Sequence, residues 1–485
     1  MIIPEYIKEI TDSLQSAGYE GYIVGGCVRD ILMNRLPKDW DITTNAKPEE
    51  ILKVFSKAKY ENSFGTVLLP IRKESLNESI KGELEDVVEI TTYRSEQGYS
   101  DCRHPDSVKF ELELDKDLER RDFTINALAL NPNKSEEIID LFGGQKDIKL
   151  KIIRAVGEPS DRFKEDALRM LRAIRFSAQL GFELEPKTQR AIVKLAGSLK
   201  FISKERIRDE LIKILASDRP AEGIILLQEC KLLQYILPEL EQGIGVNQDR
   251  HHIYPVFKHN ILSLKYCPSK DWVVRLAALL HDIGKPKTRR IIDNIATFYN
   301  HEYVGAKLTE KIMSRLKFSN DDSQRTINLV KNHMFYYNVG EVTAASVRRL
   351  IVKAGKENLR DLIDIRVADR LGSGIEKAMP YKLRHLQYMM EKVQHDPLSA
   401  KMLKINGTDL MNSLNIKPGP KIGAILEILL GDVLENPDFN TKEYLENKAK
   451  ELADLDLAIL REKAKEVIEE KKVEEDKNIK KQYKV

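Results

Sequence analysis

The sequence predicts an α+β protein in which a small mixed β-sheet near the N-terminus is followed by an almost entirely helical remainder. Over residues 1–150, strand-like runs such as YEGYIV alternate with amphipathic helical segments. From about residue 155 onward, apolar residues recur at helical spacing. Because 485 residues exceed what one core holds, we expect several domains.

The composition indicates a protein of a reducing, aqueous compartment. Apolar residues make up 42% of the chain, enough for a core, and the net charge of +3 excludes a strong overall basic field. The N-terminus carries acids at once, unlike a signal peptide, and the chain has no run of about 18 apolar residues, so we expect no membrane span. The four cysteines are scattered without a CxxC pair, which favours a cytoplasmic protein: Cys27, Cys102, Cys230 and Cys267.

The segment KDWDITT at 38–44 holds a pair of acids in a predicted strand. Asp39 and Asp41 are two residues apart, and strand side chains at that spacing share a face. Carboxylates are ligands that Mg²⁺ prefers. Glu89, on another strand-like run, is a candidate third carboxylate. The alternative is a solvated strand edge without a metal.

A glycine pair precedes these acids, where the strand YEGYIV stops and a short helix is predicted. Gly25 and Gly26 have no side chains, so a phosphate can approach the backbone N–H groups of the turn. Arg29, in the first turn of the helix, adds a fixed cation for a triphosphate.

The segment RRDFTINALA at 120–129 brings Arg121, Asp122 and Asn126 close together. The aspartate can accept a hydrogen bond from a ribose hydroxyl, and the asparagine can fix the same sugar. The alternative is a helix start with Asp122 as its capping acid.

The segment EDALRMLRAIRF at 165–176 predicts a helix that presents Asp166 and Arg169 on one face. An acceptor and a rigid donor fork can together read the Watson–Crick edge of a base. Arg172 and Arg175 continue at spacing three as a cationic stripe suited to phosphates. The alternative is a surface ion pair between Asp166 and Arg169. In SKERIRDEL at 203–211, Arg206 is a further phosphate candidate.

Five motifs in order resemble the class II tRNA nucleotidyltransferases, the CCA-adding enzyme family whose head is shared with bacterial poly(A) polymerases. They are GGCVRD at 25–30, KDWDIT at 38–43, RRDFTINALA at 120–129, LFGGQKDI at 141–148 and EDALRMLRAIRF at 165–176. The resemblance implies a nucleotidyltransferase head at 1–150 and a helical neck at 151–245. It implies an HD domain at 246–375 and a tRNA-binding C-terminal region with a charged tail at 376–485.

The segment LLHDIGKP at 279–286 resembles the metal-binding doublet of HD-domain phosphohydrolases. The candidate ligands that follow the HD order are His259, His281, Asp282 and Asp369, with His301 and His333 for a second position. Imidazole and carboxylate donors together suit Mn²⁺, Fe²⁺, Ni²⁺ or Zn²⁺. The alternative is a set of structural histidines.

The resemblance implies template-independent addition of CCA to the 3′ end of tRNA from CTP and ATP, with Mg²⁺ as cofactor. Alternatives within the family are an A-adding enzyme and a poly(A) polymerase. The loop-like stretch at 93–108 resembles the flexible loop of enzymes that add the terminal A, which favours CCA or A addition. An alternative of another class is an HD-domain phosphohydrolase with an unrelated head. A non-catalytic RNA-binding protein is disfavoured, because acids aimed at a phosphate-binding turn repel RNA.

Overall fold

The computed structural model divides into two compact units. The first comprises Met1–His333 with Asp364–Glu376, and the second comprises Met334–Ile363 with Lys377–Val485. The predicted boundaries at 150, 245 and 375 stay predictions. The structure describes residues 3–60, 65–71, 86–97, 107–133, 137–249, 253–340, 342, 344–394, 403–435, 437–460, 480 and 483.

Strands and short helices alternate through the first part of the chain, as the sequence predicts. In chain order these elements are α1 (Glu5–Ser16), β1 (Tyr22–Val24), α2 (Gly26–Leu32), β2 (Asp41–Thr44), α3 (Pro48–Val54), β3 (Lys59–Tyr60), β4 (Thr66–Ile71), β5 (Asp86–Thr92), β6 (Arg94–Gln97), β7 (Ser107–Phe110), α4 (Leu114–Glu119), a 3-10 helix (Thr124–Asn126), β8 (Ala129–Asn131), β9 (Glu137–Ile139), α5 (Gly144–Leu150) and β10 (Ile152–Ile153).

Seven of these strands form one mixed sheet within the described residues, in the order β3-β4-β5-β2-β1-β8-β9. Strands β2 and β5 pair in parallel, and the other neighbours pair antiparallel. Side chains of α1, α2 and α3 share a core with those of β1, β2, β4 and β5. Trp40 is buried in this core and anchors the start of β2.

Helices make up most of the first unit beyond the sheet, which confirms the predicted fold class. They are α6 (Pro159–Glu165), α7 (Leu168–Leu180), α8 (Pro186–Leu195), α9 (Lys204–Leu215), α10 (Pro220–Glu229), α11 (Leu233–Ile236), α12 (Pro238–Glu241), α13 (Val256–Lys265), α14 (Trp272–Leu280), α15 (Lys285–Thr288), α16 (His301–Arg315) and α17 (Asn320–Asn332). Strand β11 (Glu183–Leu184) pairs with β10, and β12 (Arg290–Ile292) pairs with β13 (Ile295–Thr297). A 3-10 helix spans Ala196–Phe201.

The second unit is helical in its described residues. Its elements are α18 (Ala344–Ala354), α20 (Tyr381–Gln394), α21 (Gly407–Leu414), α22 (Pro420–Glu435) and α23 (Lys442–Ala453), with 3-10 helices at Lys356–Asn358 and Pro437–Phe439. Helix α19 (Leu359–Gly372) crosses between the units along the chain. Apolar side chains of α21, α22 and α23 form a core of their own.

Two segments depart from the predicted pattern. The strand predicted over 38–44 begins only at Asp41, because the chain bends through Lys38 and Asp39. The stretch at 93–108 is not all loop: β6 and β7 pair at its two ends, with Arg94 opposite Phe110. Residues 98–106, in the middle of this stretch, lie outside the described residues, as does most of the charged tail beyond residue 460.

The two faces of β5 allow a matched test of the core. Val88 is fully buried, whereas the neighbouring Val87 is 43% exposed. We expect Val88→Ala to lower the free energy of unfolding by about 2 kcal/mol through lost burial and a cavity. Val87→Ala loses the same strand propensity and should cost less than about 1 kcal/mol. Urea denaturation measures both, and equal losses would contradict the placement of this core.

Candidate active site

Three carboxylates line one pocket at the end of the central strands. Asp41 is the first residue of β2 and lies opposite Glu89 of the parallel strand β5. Asp39 lies in the bend before β2 and lines the same pocket. Burial raises the pKa of Asp41, Arg121 lowers it, and Asp39 raises it; the net shift is upward. A divalent cation would offset this clustering of negative charge, so the donor set fits Mg²⁺.

The turn before α2 leaves little room for a side chain at Gly25. Gly25 has a φ of +81°, which favours glycine. A Cβ atom at this position would lie 3.0 Å from Nη1 of Arg121 and 3.5 Å from Oδ2 of Asp41. Gly25 and Gly26 therefore bring backbone, carboxylate and guanidinium groups together at one wall of the pocket.

A continuous hydrogen-bonded chain joins α2, the RRDFTIN segment and α7. Nη1 of Arg29 donates to Oδ1 of Asn126 at 2.7 Å, and Nδ2 of Asn126 donates to Oδ1 of Asp122 at 3.2 Å. Nε of Arg172 donates to the other oxygen of Asp122 at 2.7 Å. Burial raises the pKa of Asp122, but Arg172 and Arg169 outweigh it and the net shift is downward. Asp122 and Asn126 are thus hydrogen-bonded to each other. Asp122 does not cap the following 3-10 helix, whose N-cap residue is Phe123.

The predicted helix over 165–176 is interrupted at its second residue. Asp166 has an extended backbone between α6 and α7, and its side chain accepts from the N–H of Leu168. Oδ2 of Asp166 accepts from Nη2 of Arg206 at 2.7 Å. Arg169 pairs with Glu165 one turn earlier. Asp166 and Arg169 both line the pocket, and the alternative of an ion pair between them is wrong.

The two arginines of the cationic stripe predicted on α7 differ in burial. Arg175 is 7% exposed and donates to Glu210 of α9 at 3.0 Å. Burial lowers the pKa of Arg175 to about 10, even though Glu210 opposes the shift. Arg172, paired with Asp122, keeps 35% of its side chain exposed. Both guanidinium groups line the pocket wall, and neither belongs to an open basic face.

A second cluster of metal-ligand residues is buried in the helical part of the first unit. Ligand-type atoms of His259, His281 and Asp282 lie within 4.8 Å of one another. Nε2 of His259 lies 3.2 Å from Asp282 and 3.4 Å from Asp369. Hydrogen bonds to these two carboxylates outweigh burial and raise the pKa of His259 to about 9.

Asp282 also belongs to a second group of such residues. Its Oδ1 atom lies 3.2 Å from Nε2 of His301 and 3.8 Å from Nε2 of His333. In His281, His301 and His333, Nδ1 lies 2.7–2.8 Å from a backbone carbonyl oxygen. A carbonyl only accepts, so Nδ1 carries the proton and Nε2 faces the cluster with its lone pair, as metal ligation requires. The six predicted residues are therefore brought together, and their chemistry fits two neighbouring metals.

Three family models match successive parts of the chain. Residues 21–154 match the poly A polymerase head domain. Residues 181–244 match a model described as "Probable RNA and SrmB- binding site of polymerase A", and residues 261–374 match the HD domain.

Two similar proteins match over most of the chain. The CCA-adding enzyme of Enterococcus faecalis is 32% identical over 460 residues, which cover 92% of this chain and 97% of the relative. This chain belongs to the family of the CCA-adding enzymes. The A-adding tRNA nucleotidyltransferase of Deinococcus radiodurans is 37% identical over 341 residues, covering 67% of this chain and 76% of that protein.

A solved CCA-adding enzyme has a similar fold. The crystal structure of the Bacillus stearothermophilus CCA-adding enzyme in complex with CTP aligns with a TM-score of 0.59 and 27% identity. The alignment covers 93% of this chain and 98% of that structure. The predicted resemblance to the family is therefore confirmed. Among the described residues, no helix is both long enough and apolar enough to cross a membrane.

Several arginines that line the pocket of this family member are held by acids that the sequence did not single out. Glu210 holds Arg175, and the buried Asp117 accepts from Arg120 and Arg121. The pair of Arg175 and Glu210 depends on tertiary packing, whereas Asp117 lies three and four residues before its two arginines, at helical spacing. Glu165 lies four residues before Arg169, so its pairing was visible as helical spacing. Arg206, the further phosphate candidate, lines the pocket and binds Asp166.

Gly25 and Gly18 offer a matched test of crowding at the pocket. Both have a positive φ, but a Cβ at Gly18 would meet nothing within 4 Å. Each alanine variant should lose about 1–2 kcal/mol of stability through backbone strain. Only Gly25→Ala should weaken Mg–ATP binding, by about tenfold, because its methyl group crowds the guanidinium of Arg121. Calorimetry measures the binding, and equal effects of the two variants would contradict the steric account.

Proposed function

We propose that this protein adds CCA to the 3′ end of tRNA without a nucleic-acid template, using CTP and ATP. The observation that carries the proposal is the single pocket in which Asp39, Asp41 and Glu89 face an arginine-rich wall. Carboxylates suit metal ions, and guanidinium groups suit phosphates, so the pocket supports nucleotidyl transfer. Membership of the CCA-adding family and the similar structure named as a complex with CTP support the substrate.

The acids and the glycine turn have different roles in the transfer step: the acids would bind metal, and the turn would bind phosphates. Asp39, Asp41 and Glu89 would hold Mg²⁺, which when bound activates the 3′ hydroxyl and stabilises the pyrophosphate that leaves. The turn at Gly25 allows the nucleotide's phosphates to approach the backbone closely. Arg29 lines the same pocket, and its positive charge would attract the phosphates.

The remaining wall of the pocket supports selection of sugar and base. Asp122 accepts from the ribose hydroxyls, and Asn126 keeps that carboxylate oriented through its own hydrogen bond. Asp166 and Arg169 offer an acceptor and a donor fork to the base edge. Arg206 and Glu165 hold these two side chains before a nucleotide arrives, which lowers the entropic cost of binding.

The RNA partner is supported in both units. Residues 181–244 match the RNA-binding model of the polymerase family. In the second unit, Tyr336 and Tyr381 are 70% and 46% exposed, and the ring of Tyr381 lies 5.8 Å from that of His385. Arg384 lies over Tyr381, so aromatic and basic groups alternate on this surface. Such surfaces stack on bases and neutralise phosphates, and we propose that this one contacts tRNA.

The histidine cluster would hold its own divalent metals, separate from Mg²⁺. His259, His281, Asp282 and Asp369 form one proposed site, and Asp282 with His301 and His333 forms its neighbour. Mixed imidazole and carboxylate ligands favour Mn²⁺, Fe²⁺, Ni²⁺ or Zn²⁺, which when bound lower the pKa of a water ligand.

Because its proposed substrate is tRNA, we propose that the protein acts in the cytoplasm.

The order of addition can be read directly from tRNA ends. Transcripts that end at the discriminator base, after the first C or after the second C are incubated with CTP, ATP or both. With both nucleotides present, the proposed function predicts that each transcript is completed to CCA and that addition then stops. Sequencing of the 3′ ends measures the product. Long A tracts would favour a poly(A) polymerase, and no incorporation would refute nucleotidyl transfer.

Addition of A alone is the second candidate, because the Deinococcus radiodurans relative at 37% identity is named an A-adding enzyme. The same experiment separates the two functions. An A-adding enzyme would extend only the transcript that already ends in both C residues, and it would leave CTP unused.

The two metal clusters can be separated by single substitutions. Asp41→Ala should lower nucleotide incorporation by at least about a thousandfold, because the pocket loses its central metal ligand. His281→Ala should leave incorporation within about threefold of the wild type and reduce the transition metal that copurifies with the protein. Incorporation assays and elemental analysis measure the two effects. Wild-type incorporation by Asp41→Ala would refute the proposed function.

A further inference from the structure

Phe176 lies on α7 at the centre of the pocket's arginine groups. The Cζ atoms of Arg29, Arg172 and Arg175 lie 5.4, 5.5 and 4.4 Å from the centroid of its ring. The side chain is 6% exposed and lines the pocket that contains Asp41. Resting on the proposed nucleotidyl transfer, we propose that Phe176 is the positioning residue that holds these three guanidinium groups ready for the nucleotide's phosphates.

The chemistry of the ring explains why an aromatic residue is required here. Three cations that converge on one region repel one another, and the repulsion is greater where water is excluded. Arg29 and Arg175 are 8% and 7% exposed, so solvent screens them little. The negative face of an aromatic ring attracts guanidinium groups within about 6 Å. A leucine fills most of the same volume and offers no such attraction.

The polar partners of the three arginines lie on different elements, and the ring is their common neighbour. Arg29 binds Asp30 at 2.8 Å, Arg172 binds Asp122 at 2.7 Å, and Arg175 binds Glu210 at 3.0 Å. Arg29 and Arg172 are also connected through Asn126 and Asp122, whereas Arg175 pairs with Glu210 of α9. The ring of Phe176 contacts all three guanidinium groups, so it sets their arrangement relative to one another. This arrangement is the one that a triphosphate would bind.

The orientation of the ring is itself fixed. Phe123, which is fully buried, packs edge-to-face against Phe176 with centroids 5.7 Å apart and an angle of 82°. Phe123 directly follows Asp122, the proposed ribose acceptor. The contact therefore ties the arginine group on one side to the sugar-binding segment on the other, and Phe176 joins the two parts of the nucleotide site.

Substitution of Phe176 tests whether the ring, and not only its volume, is needed. In the full chain with tRNA and Mg²⁺, we expect Phe176→Leu to raise the KM for CTP and ATP by about tenfold. The kcat and the KM for tRNA should stay within about threefold, because the carboxylates and the RNA-binding surfaces are untouched. Phe176→Tyr keeps the ring and should restore the nucleotide KM to within about threefold of the wild type.

Pyrophosphate gives a readout that does not depend on base, sugar or tRNA. Isothermal titration of pyrophosphate with Mg²⁺ into the full chain should show about tenfold weaker binding for Phe176→Leu than for the wild type. If the wild-type protein fails to extend tRNA, the proposed function fails. The pyrophosphate result still decides whether Phe176 organises a phosphate site.

Phe182 provides the matched control for a buried phenylalanine. It is 4% exposed and directly follows Gly181, the residue that ends the helix carrying Phe176. Among the described residues, no cation is found over its ring. Phe182→Leu should lower the thermal midpoint about as much as Phe176→Leu and leave pyrophosphate affinity unchanged. The proposal is overturned if Phe182→Leu weakens pyrophosphate binding equally, if Phe176→Leu binds as the wild type does, or if Phe176→Tyr is as impaired as Phe176→Leu.

Discussion

The parallel pairing of β2 with β5, within an otherwise antiparallel sheet, places Asp41 beside Glu89. Parallel strands need a crossover connection, which α3, β3 and β4 supply here. A shift of this register by one residue would turn one of the two carboxylates to the opposite face. The buried core below the sheet, with Trp40 at the start of β2, resists such a shift. The proposed metal binding at this pocket would therefore depend on the packing beneath it.

Electrostatics imposes a second constraint, because the pocket concentrates acids and arginines in a chain with a net charge of only +3. Burial is the main cause of the raised pKa of Asp41, and the charge of Asp39 adds to it. Three arginines of the pocket wall instead form salt bridges: Arg172 with Asp122, Arg175 with Glu210 and Arg169 with Glu165. Paired arginines are held in place beside the acids that line the same pocket. Such prior arrangement favours binding of a metal-bound triphosphate over either component alone.

Short sequence motifs predicted those parts of the site whose residues lie close together in the chain. The glycine turn, the acids and the RRDFTIN segment each lie within a few residues, and their side chains do meet in one pocket. The interruption at Asp166 was missed because periodicity reports apolar faces and does not report where a backbone leaves the helix. The pairing of Asp166 with Arg206 spans 40 residues, and that of Arg175 with Glu210 spans 35. Such contacts depend on how α7 packs against α9, which no short segment encodes.

The two proposed metal sites differ in the chemistry that each donor set can support. The pocket of Asp39, Asp41 and Glu89 offers oxygen ligands, which suit a metal that keeps places for water and phosphate oxygens. The buried cluster around Asp282 offers imidazole nitrogens whose Nδ1 protons are already committed to backbone carbonyls. Its affinity for Mg²⁺ should therefore be low at the concentrations that load the first pocket. The two proposed sites would therefore favour different ions, because their donor sets differ.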